Sequence, residues 1–187
     1  FLTFSTISMI KLSDLETLDL ANKTLLITGC NGFLGRRLLE SFVEIFNQLS
    51  SNKLSTNHKI YAIDNGITSS IIESKFPSYV RYYESNAITF DYSALKSVDY
   101  TIHLAGLASP AQYKRYPLET IDVAVSLTRI LLDKCIKWRS KFIFFSSSEI
   151  YGNPDPANIP TNEDYKGFVA CQGPRACYDE SKRLGET

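Results

Sequence analysis

A glycine-rich turn between an apolar segment and an amphipathic segment is the feature that most constrains the fold of this chain. The run Thr28-Gly29-Cys30-Asn31-Gly32-Phe33-Leu34-Gly35 follows an apolar stretch at 23–28 and opens a stretch at 33–49 with apolar residues at helical spacing. Gly29 suits a tight turn, Gly32 lets a pyrophosphate approach backbone amides at the positive end of a helix, and Gly35 lets helix and strand pack closely. The pattern predicts a phosphate-binding loop between a strand and a helix, with a purely structural turn as the alternative.

Short β-branched or aromatic runs alternate with longer helical patterns along the rest of the chain. This alternation is typical of βαβ units, in which parallel strands form one sheet. It predicts an α/β fold with a doubly wound, Rossmann-like parallel sheet over residues 23–187, preceded by an amino-terminal extension at 1–22. The predicted strands lie at 23–28, 59–64, 80–83, 100–105 and 142–146, and the clearest helices at 33–49 and 120–138. Ligands of such sheets bind at the carboxyl ends of the strands.

The composition narrows the class of protein. Of 187 residues, 44% are hydrophobic, and 20 basic residues balance 20 acidic ones, which is typical of a soluble globular domain and gives no reason to expect nucleic acid or an acidic membrane as a partner. The chain has no apolar run long enough to span a bilayer and no signal-peptide pattern at its start, so we expect a cytoplasmic protein. Its four scattered cysteines are expected to be reduced thiols and not metal ligands.

Asp64 ends the second predicted strand, where an acidic side chain can accept hydrogen bonds from the adenosine ribose of a dinucleotide. A carboxylate at this place repels a ribose phosphate, so the sequence favours NAD over NADP. Arg36 and Arg37, in the first turn of the predicted helix, leave NADP open as the alternative. Solvent-exposed cations are the commoner interpretation of such residues.

Tyr178 and Lys182 form a Tyr-x-x-x-Lys pair near the carboxy terminus. Residues four apart share one face of a helix, so the Lys182 ammonium can favour the ionised form of the Tyr178 phenol. Since free tyrosine loses its proton only near about pH 10, a tyrosine base acting at neutral pH needs such a cationic neighbour. Ser147, just after the fifth predicted strand, offers a hydroxyl that can hold a substrate alcohol or ketone. An amphipathic helix with one buried ring and a serine-rich loop are the alternatives.

Taken in order, the motifs of this chain resemble those of the extended short-chain dehydrogenase/reductase family, the NAD-dependent nucleotide-sugar epimerases and dehydratases. The likeness covers about 23–187. It rests on the glycine run, His103-Leu104-Ala105-Gly106, Ser146-Ser147-Ser148-Glu149-Ile150-Tyr151-Gly152, and Tyr178 with Lys182. Within the family, the UDP-glucuronate decarboxylase (UDP-xylose synthase) subgroup is the most similar. This likeness rests on Ala108-Ser109-Pro110 and on Gly173-Pro174-Arg175-Ala176-Cys177-Tyr178-Asp179-Glu180.

The resemblance implies roles for individual residues. It implies catalysis by Tyr178, Lys182, Ser147, Ser148 and Glu149, and substrate contacts from Ser109, Tyr113 and Arg175. The residues implied to contact NAD are Gly29, Asn31, Gly32, Phe33, Leu34, Gly35, Asp64, Asn65, Asn86, Ala87, Leu104, Ala105, Gly106, Tyr178 and Lys182. No metal site is implied.

The resemblance also implies a reaction. Tyr178, with Lys182 and Ser147, removes the proton of the sugar C4 hydroxyl while hydride passes to NAD; the resulting 4-keto uronate loses carbon dioxide, and the hydride then returns. A nucleotide-sugar 4-epimerase or 4,6-dehydratase is the close alternative, since all three reactions begin with oxidation at C4. A non-catalytic NAD-binding sensor or assembly protein is the alternative from another class.

Two positions differ from the usual family pattern. Ala124-Val125-Ser126-Leu127-Thr128 stands where the family commonly has an Asn followed by Gly-Thr, and Asn86 stands where an adenine-side Asp is common. The resemblance further implies a carboxy-terminal substrate lobe outside this chain, a UDP-sugar as the substrate, and a homodimer for the full-length protein.

Overall fold

A computed structural model of the protein describes residues 19–68 and 76–187; most of the predicted amino-terminal extension, at 1–18, lies outside the described residues. Within the described ranges the chain forms a five-stranded parallel sheet in the order β3-β2-β1-β4-β5. The strands are β1 (Thr24–Thr28), β2 (Lys59–Asp64), β3 (Val80–Glu84), β4 (Tyr100–His103) and β5 (Lys141–Phe144). The strand order reverses between β1 and β4, as the prediction of a doubly wound sheet requires, and this prediction is confirmed.

Helices cover both faces of the sheet. They are α1 (Phe33–Ser51), α2 (Pro110–Arg115), α3 (Pro117–Ile121), α4 (Leu127–Trp138) and α5 (Ala176–Glu186), with a π-helical turn at Asp122–Ser126 between α3 and α4. Helix α1 packs Leu39, Phe46 and Leu49 against one face of the sheet, and α4 packs Leu127 and Leu131 against the other. None of the helices in the part of the chain that the structure describes is long and apolar enough to cross a membrane.

The central strands are buried because each is covered on both faces. Four of the five residues of β1 and four of the six of β2 are buried, which explains why their sequences are nearly continuous apolar runs instead of alternating ones. In register, Thr28 at the end of β1 lies beside Ile63 of β2 and His103 of β4. The loops that follow these three strands therefore meet at one edge of the sheet.

Several boundaries differ from the predicted ones. Strand β4 ends at His103 and not at 105, and β5 occupies 141–144 and not 142–146. Leu104 and Phe145 still donate backbone hydrogen bonds to the neighbouring strand, and Leu104 and Ala105 line a cleft at the sheet edge. The single helix predicted at 120–138 is interrupted by the π-helical turn, which the apolar spacing does not reveal.

Candidate active site

A cleft opens at the carboxyl ends of β1 to β4, where the strand order reverses. It brings together most of the residues predicted to contact a cofactor: Gly29, Gly32, Asp64, Asn65, Asn86, Ala87, Leu104, Ala105 and Gly106. These residues come from four separate loops, so their convergence depends on the parallel sheet. Phe33 and Leu34 are exposed at the start of α1, whereas Asn31 and Gly35 are buried beneath the loop.

The glycine loop has the geometry of a phosphate cradle. Gly29 has a positive φ of 78°, and a Cβ built there would lie 2.6 Å from the Ala105 Cα, so no side chain fits. A Cβ on Gly35 would collide with the Gly29 carbonyl oxygen and lie 2.8 Å from the Cys30 Cα. Helix α1 begins after Gly32, which has no side chain to cap it, so the first-turn amides face the loop with the positive end of the helix dipole.

Asp64 connects the end of β2 to the glycine loop. One carboxylate oxygen accepts a hydrogen bond from the Asn31 amide at 2.9 Å, and the other accepts from the Gly66 amide at 2.8 Å. The side chain is half-buried and lines the cleft. Its charge is thus held at the position where a ribose hydroxyl would be bound and a ribose phosphate repelled.

The two arginines that left NADP open have partners within α1 and its loop. Arg36 donates from Nε to the Asn31 carbonyl at 2.8 Å, and Arg37 pairs with Glu40 at 3.0 Å. Both guanidinium groups therefore contact neighbours on their own segment, and this supports the preference for NAD.

Helix α5 places Tyr178 and Lys182 on its buried face, as their spacing predicts; both side chains are less than a tenth exposed. The Lys182 ammonium donates to the Phe145 carbonyl at 2.6 Å and lies 4.7 Å from the centre of the Phe144 ring. A Cβ on Gly106 would be 3.8 Å from Lys182 Nζ, so this ammonium sits at the Gly106 end of the cleft. Burial lowers the pKa of Lys182 from its ordinary value of 10.5 to about 8.

Tyr113 supports the ring of Tyr178. The two rings are stacked, with centroids 5.3 Å apart and planes tilted by 17°. Tyr113 is buried and its carbonyl accepts from the Cys177 thiol at 3.5 Å, so α2 and α5 are joined beside the phenol. Ser109, also predicted to contact substrate, is exposed and caps α2 by accepting from the Gln112 amide at 3.3 Å.

A charge cluster joins the serine motif to the start of α5. The Arg175 guanidinium forms an ion pair with Glu149 and lies 3.5 Å from a carboxylate oxygen of Asp179. The other oxygen, Asp179 Oδ1, is buried without a hydrogen-bond partner among the described residues. The Ser147 hydroxyl accepts from the Glu149 amide at 3.3 Å and begins the helical turn Ser148–Tyr151. Two carboxylates and one guanidinium thus lie together near the serines.

Sequence reasoning missed one wall of the cleft. This wall is formed by the end of α3, the π-helical turn and the start of α4, through Glu119, Asp122, Val123 and Leu127. The resemblance had marked 124–128 only as a departure from the family pattern, and it predicted no cofactor contact from this segment. The contacts between Arg175, Glu149 and Asp179, and the stacking of Tyr113 on Tyr178, were also not predicted. Among the described residues, no group of three or more His, Cys, Asp or Glu side chains is placed to hold a metal ion.

Comparison with known proteins identifies the family. The model of the NAD dependent epimerase/dehydratase family matches residues 25–187. The chain belongs to this family. Curated relatives include UDP-glucuronic acid decarboxylase 1 of Danio rerio, 32% identical over 167 residues, and UDP-glucuronic acid decarboxylase 5 of Arabidopsis thaliana, 32% identical over 169 residues. The matched segments cover 88% and 89% of this chain but only 36% and 46% of the lengths of these two relatives.

Solved structures share the fold. The UDP-N-acetylglucosamine 4-epimerase from Methanobrevibacter ruminantium M1, in complex with UDP-N-acetylmuramic acid, superposes with a TM-score of 0.69 at 24% identity, over 89% of this chain and 49% of that one. Bordetella bronchiseptica WbmG, in complex with NAD and UDP, superposes with a TM-score of 0.67 at 21% identity, over 87% and 47%. The predicted family and Rossmann-like fold are thus confirmed.

NAD is the cofactor of the epimerase/dehydratase family, and the residues of this chain fit it. The loop at Gly29 and Gly35 admits no side chain, the amino end of α1 faces the cleft, and the Asp64 carboxylate stands at the end of β2. These features fit the sequence prediction of a loop that receives a pyrophosphate and a carboxylate that accepts hydrogen bonds from a ribose.

Proposed function

We propose that this protein is an enzyme that oxidises a nucleotide sugar at C4, decarboxylates the product and reduces it again, as a UDP-glucuronate decarboxylase does. The observation that carries the proposal is the buried Tyr178 and Lys182 pair at the Gly106 end of a dinucleotide cleft. NAD, when bound, supplies the hydride acceptor and later the hydride donor. The curated relatives that cover most of the chain are named as UDP-glucuronic acid decarboxylases, which supports a UDP-sugar as substrate.

In the proposed reaction Tyr178 takes the proton from the C4 hydroxyl. A phenol can do this near neutral pH only if its phenolate is stabilised, and a buried ammonium four residues along the helix supplies positive charge for that purpose. The stack with Tyr113 fixes the plane of the ring, so the phenol oxygen is presented in one direction. Ser147, in the loop that follows β5, is proposed to hold the C4 oxygen by a hydrogen bond.

Glu149 and Ser148 are proposed to act in the middle step. Loss of carbon dioxide from a 4-keto uronate leaves an enolate that must receive a proton at C5. The ion pair with Arg175 holds the Glu149 carboxylate, in its ionised form, beside the serine motif. Glu149 is therefore proposed to orient a water molecule that delivers the proton to C5, while Ser148 positions the sugar carboxylate. Arg175, predicted as a substrate contact, is proposed to reach the sugar from the same place.

The alternative reactions differ in what the middle step requires. A 4,6-dehydratase needs a second acid before Glu149, where this chain has Ser148. A 4-epimerase needs no acid at this place. A sensor protein needs no buried ammonium, and since burial of a cation is unfavourable, Lys182 supports catalysis over sensing.

The proposal is tested by incubating the full-length protein with NAD and UDP-glucuronate, while carbon dioxide is trapped and the sugar is followed by NMR. We expect stoichiometric carbon dioxide and a pentose product. UDP-glucose and UDP-galactose serve as matched substrates without the carboxylate. Interconversion of these two sugars, with UDP-glucuronate unchanged, would overturn the decarboxylase proposal in favour of an epimerase.

A further inference from the structure

We propose that His103 is a positioning residue that ties the π-helical turn to the end of β1 and thereby sets the distance between two walls of the NAD cleft. The inference rests on the proposed role of that cleft in binding NAD. The catalytic scheme above gives His103 no task, and the sequence alone assigned it none.

Two hydrogen bonds define the role of the ring. Nδ1 lies 2.9 Å from the Thr28 hydroxyl, and Nε2 lies 3.2 Å from the Val123 carbonyl. A carbonyl oxygen can only accept, so Nε2 carries the proton and donates it. In the neutral ring Nδ1 is then the acceptor, and the Thr28 hydroxyl donates to it. The network fixes one tautomer of a buried imidazole.

The surroundings keep this ring neutral. The side chain is 1% exposed, and the rings of Phe142 and Phe144 lie at centroid distances of 6.3 and 5.7 Å. Burial, with a smaller contribution from the Lys182 cation, lowers the pKa of His103 from 6.5 to about 4. The donor and acceptor pattern therefore holds throughout the neutral pH range.

The two partners of His103 belong to segments that form different walls of the cleft. Thr28 is the residue before Gly29, whose loop forms one wall, and Val123 lies in the π-helical turn that forms another. The back of this turn is held by α5, where a Cβ on Gly185 would lie 3.2 Å from the Ala124 carbonyl oxygen. Any buried imidazole needs partners for its two nitrogens, and here the partners belong to the two segments that form separate walls of the cleft.

The test measures the dissociation constant of NAD by calorimetry for the full-length protein and four variants. His103→Phe keeps a ring and removes both hydrogen bonds, Thr28→Val removes one, and the double variant closes a thermodynamic cycle. Ile102→Val, in the same buried strand, is the matched control for a general loss of core packing. All are measured at a temperature where circular dichroism shows each to be folded.

We expect His103→Phe and Thr28→Val each to weaken NAD binding by about fivefold or more, and the double variant to be little worse than either, because both break one chain of contacts. Ile102→Val should leave the dissociation constant within about twofold of wild type, because it changes the packing of the core and leaves the hydrogen bonds of His103 in place. Should His103→Phe fail to fold, the comparison of Thr28→Val with Ile102→Val decides alone.

NAD binding within about twofold of wild type in folded His103→Phe or in Thr28→Val would overturn the inference while leaving the proposed function intact. Equal weakening by Ile102→Val would also overturn it, since core packing would then explain the effect. Absence of NAD binding by the wild-type protein would overturn the proposed function and this inference with it.

Discussion

At the scale of single residues, the site depends on a phenol and an ammonium that are both buried on α5. Tyr178 is 6% exposed and stacks on Tyr113, so its ring is held in one orientation. Lys182 is anchored to the end of β5 through the Phe145 carbonyl. The base and the charge that activates it are therefore fixed by packing before substrate binds.

Tyr178→Phe removes the phenol oxygen and keeps the stacked ring. We expect turnover of the full-length protein to fall by about 10²- to 10⁴-fold, because a positioned acid or base contributes that much. NAD affinity should be almost unchanged. Tyr165→Phe, on the loop before α5, is the matched control, and activity of Tyr178→Phe equal to that of this control would remove the tyrosine base from the mechanism.

Lys182 is predicted to lower stability while enabling catalysis. The lowering of its pKa from 10.5 to about 8 means that the buried, charged Lys182 destabilises the folded protein by about 3 kcal/mol at neutral pH. Lys182→Met removes this destabilisation but also loses the hydrogen bond to the Phe145 carbonyl, which contributes about 1 kcal/mol. We expect Lys182→Met to be inactive, yet on the order of 2 kcal/mol more stable in urea at pH 7. Lys137→Met, on the exposed face of α4, should change neither property.

The same pKa gives the pH dependence of stability. Between about pH 8 and 10.5 the unfolded chain binds a proton at Lys182 that the folded protein has lost, so the free energy of unfolding of the wild type should rise with pH in this window. The rise should be smaller in Lys182→Met. Parallel curves for the two proteins would contradict the burial of an ionised lysine.

The spacing of Tyr178 and Lys182 predicted that they share one face of a helix, and both are buried on α5. Asp64 was predicted from its place at the end of a strand, and it meets the glycine loop there. Neither pattern could reveal the stack of Tyr113 on Tyr178 or the pairing of Arg175 with Glu149. These contacts join residues 65 and 26 positions apart, and they exist only once α2, α5 and the loop after β5 meet.

At the scale of elements, the glycine loop separates two requirements, close packing and ligand access. Gly35 lies against the Gly29 carbonyl and the Cys30 backbone, whereas a Cβ on Gly32 would meet only the Gly29 oxygen, at 3.3 Å. Gly35 therefore serves the close packing of α1 against the turn after β1, and Gly32 is proposed to serve the approach of the pyrophosphate.

Alanine at these two positions should have distinguishable effects. Gly35→Ala forces α1 away from β1 and should cost about 2–4 kcal/mol of stability, which lowers the melting temperature and abolishes NAD binding. Gly32→Ala should cost no more than about 1 kcal/mol yet weaken NAD by about tenfold or more, since its methyl group occupies the pyrophosphate site. Thermal melts and calorimetry measure both, and equal stabilities would contradict the assignment.

The elements themselves were predictable where one period dominates. Strand β2 was predicted with its observed bounds, because 59–64 is an apolar run that ends at a polar residue. The π-helical turn was not, since a π turn has no sequence period of its own and is stabilised here by tertiary contacts such as the bond from His103 to Val123.

At the scale of the whole molecule, the chain carries the cofactor half of the proposed reaction. It covers less than half the length of the two curated relatives. Of its predicted substrate contacts, Tyr113 stacks on the Tyr178 ring, and Arg175 pairs with Glu149. We expect this 187-residue chain to bind NAD and to show no turnover of UDP-glucuronate on its own.

Calorimetry with NAD and product analysis by NMR check this expectation, with the full-length protein as the positive control. Turnover by the isolated chain at the rate of the full-length protein would contradict it.

The fold of the chain was predictable because its parallel strands and glycine turn admit few topologies. The chemistry that follows oxidation was not, because it depends on contacts between distant loops.

The central claim is that hydride leaves C4 of the sugar and returns to it within one active site. It is tested most directly with UDP-glucuronate deuterated at C4, incubated with the NAD-loaded full-length protein in ordinary water. We predict UDP-xylose that retains deuterium at C4. A product with hydrogen at C4, or a reaction that proceeds only when NADH is added, would contradict the account.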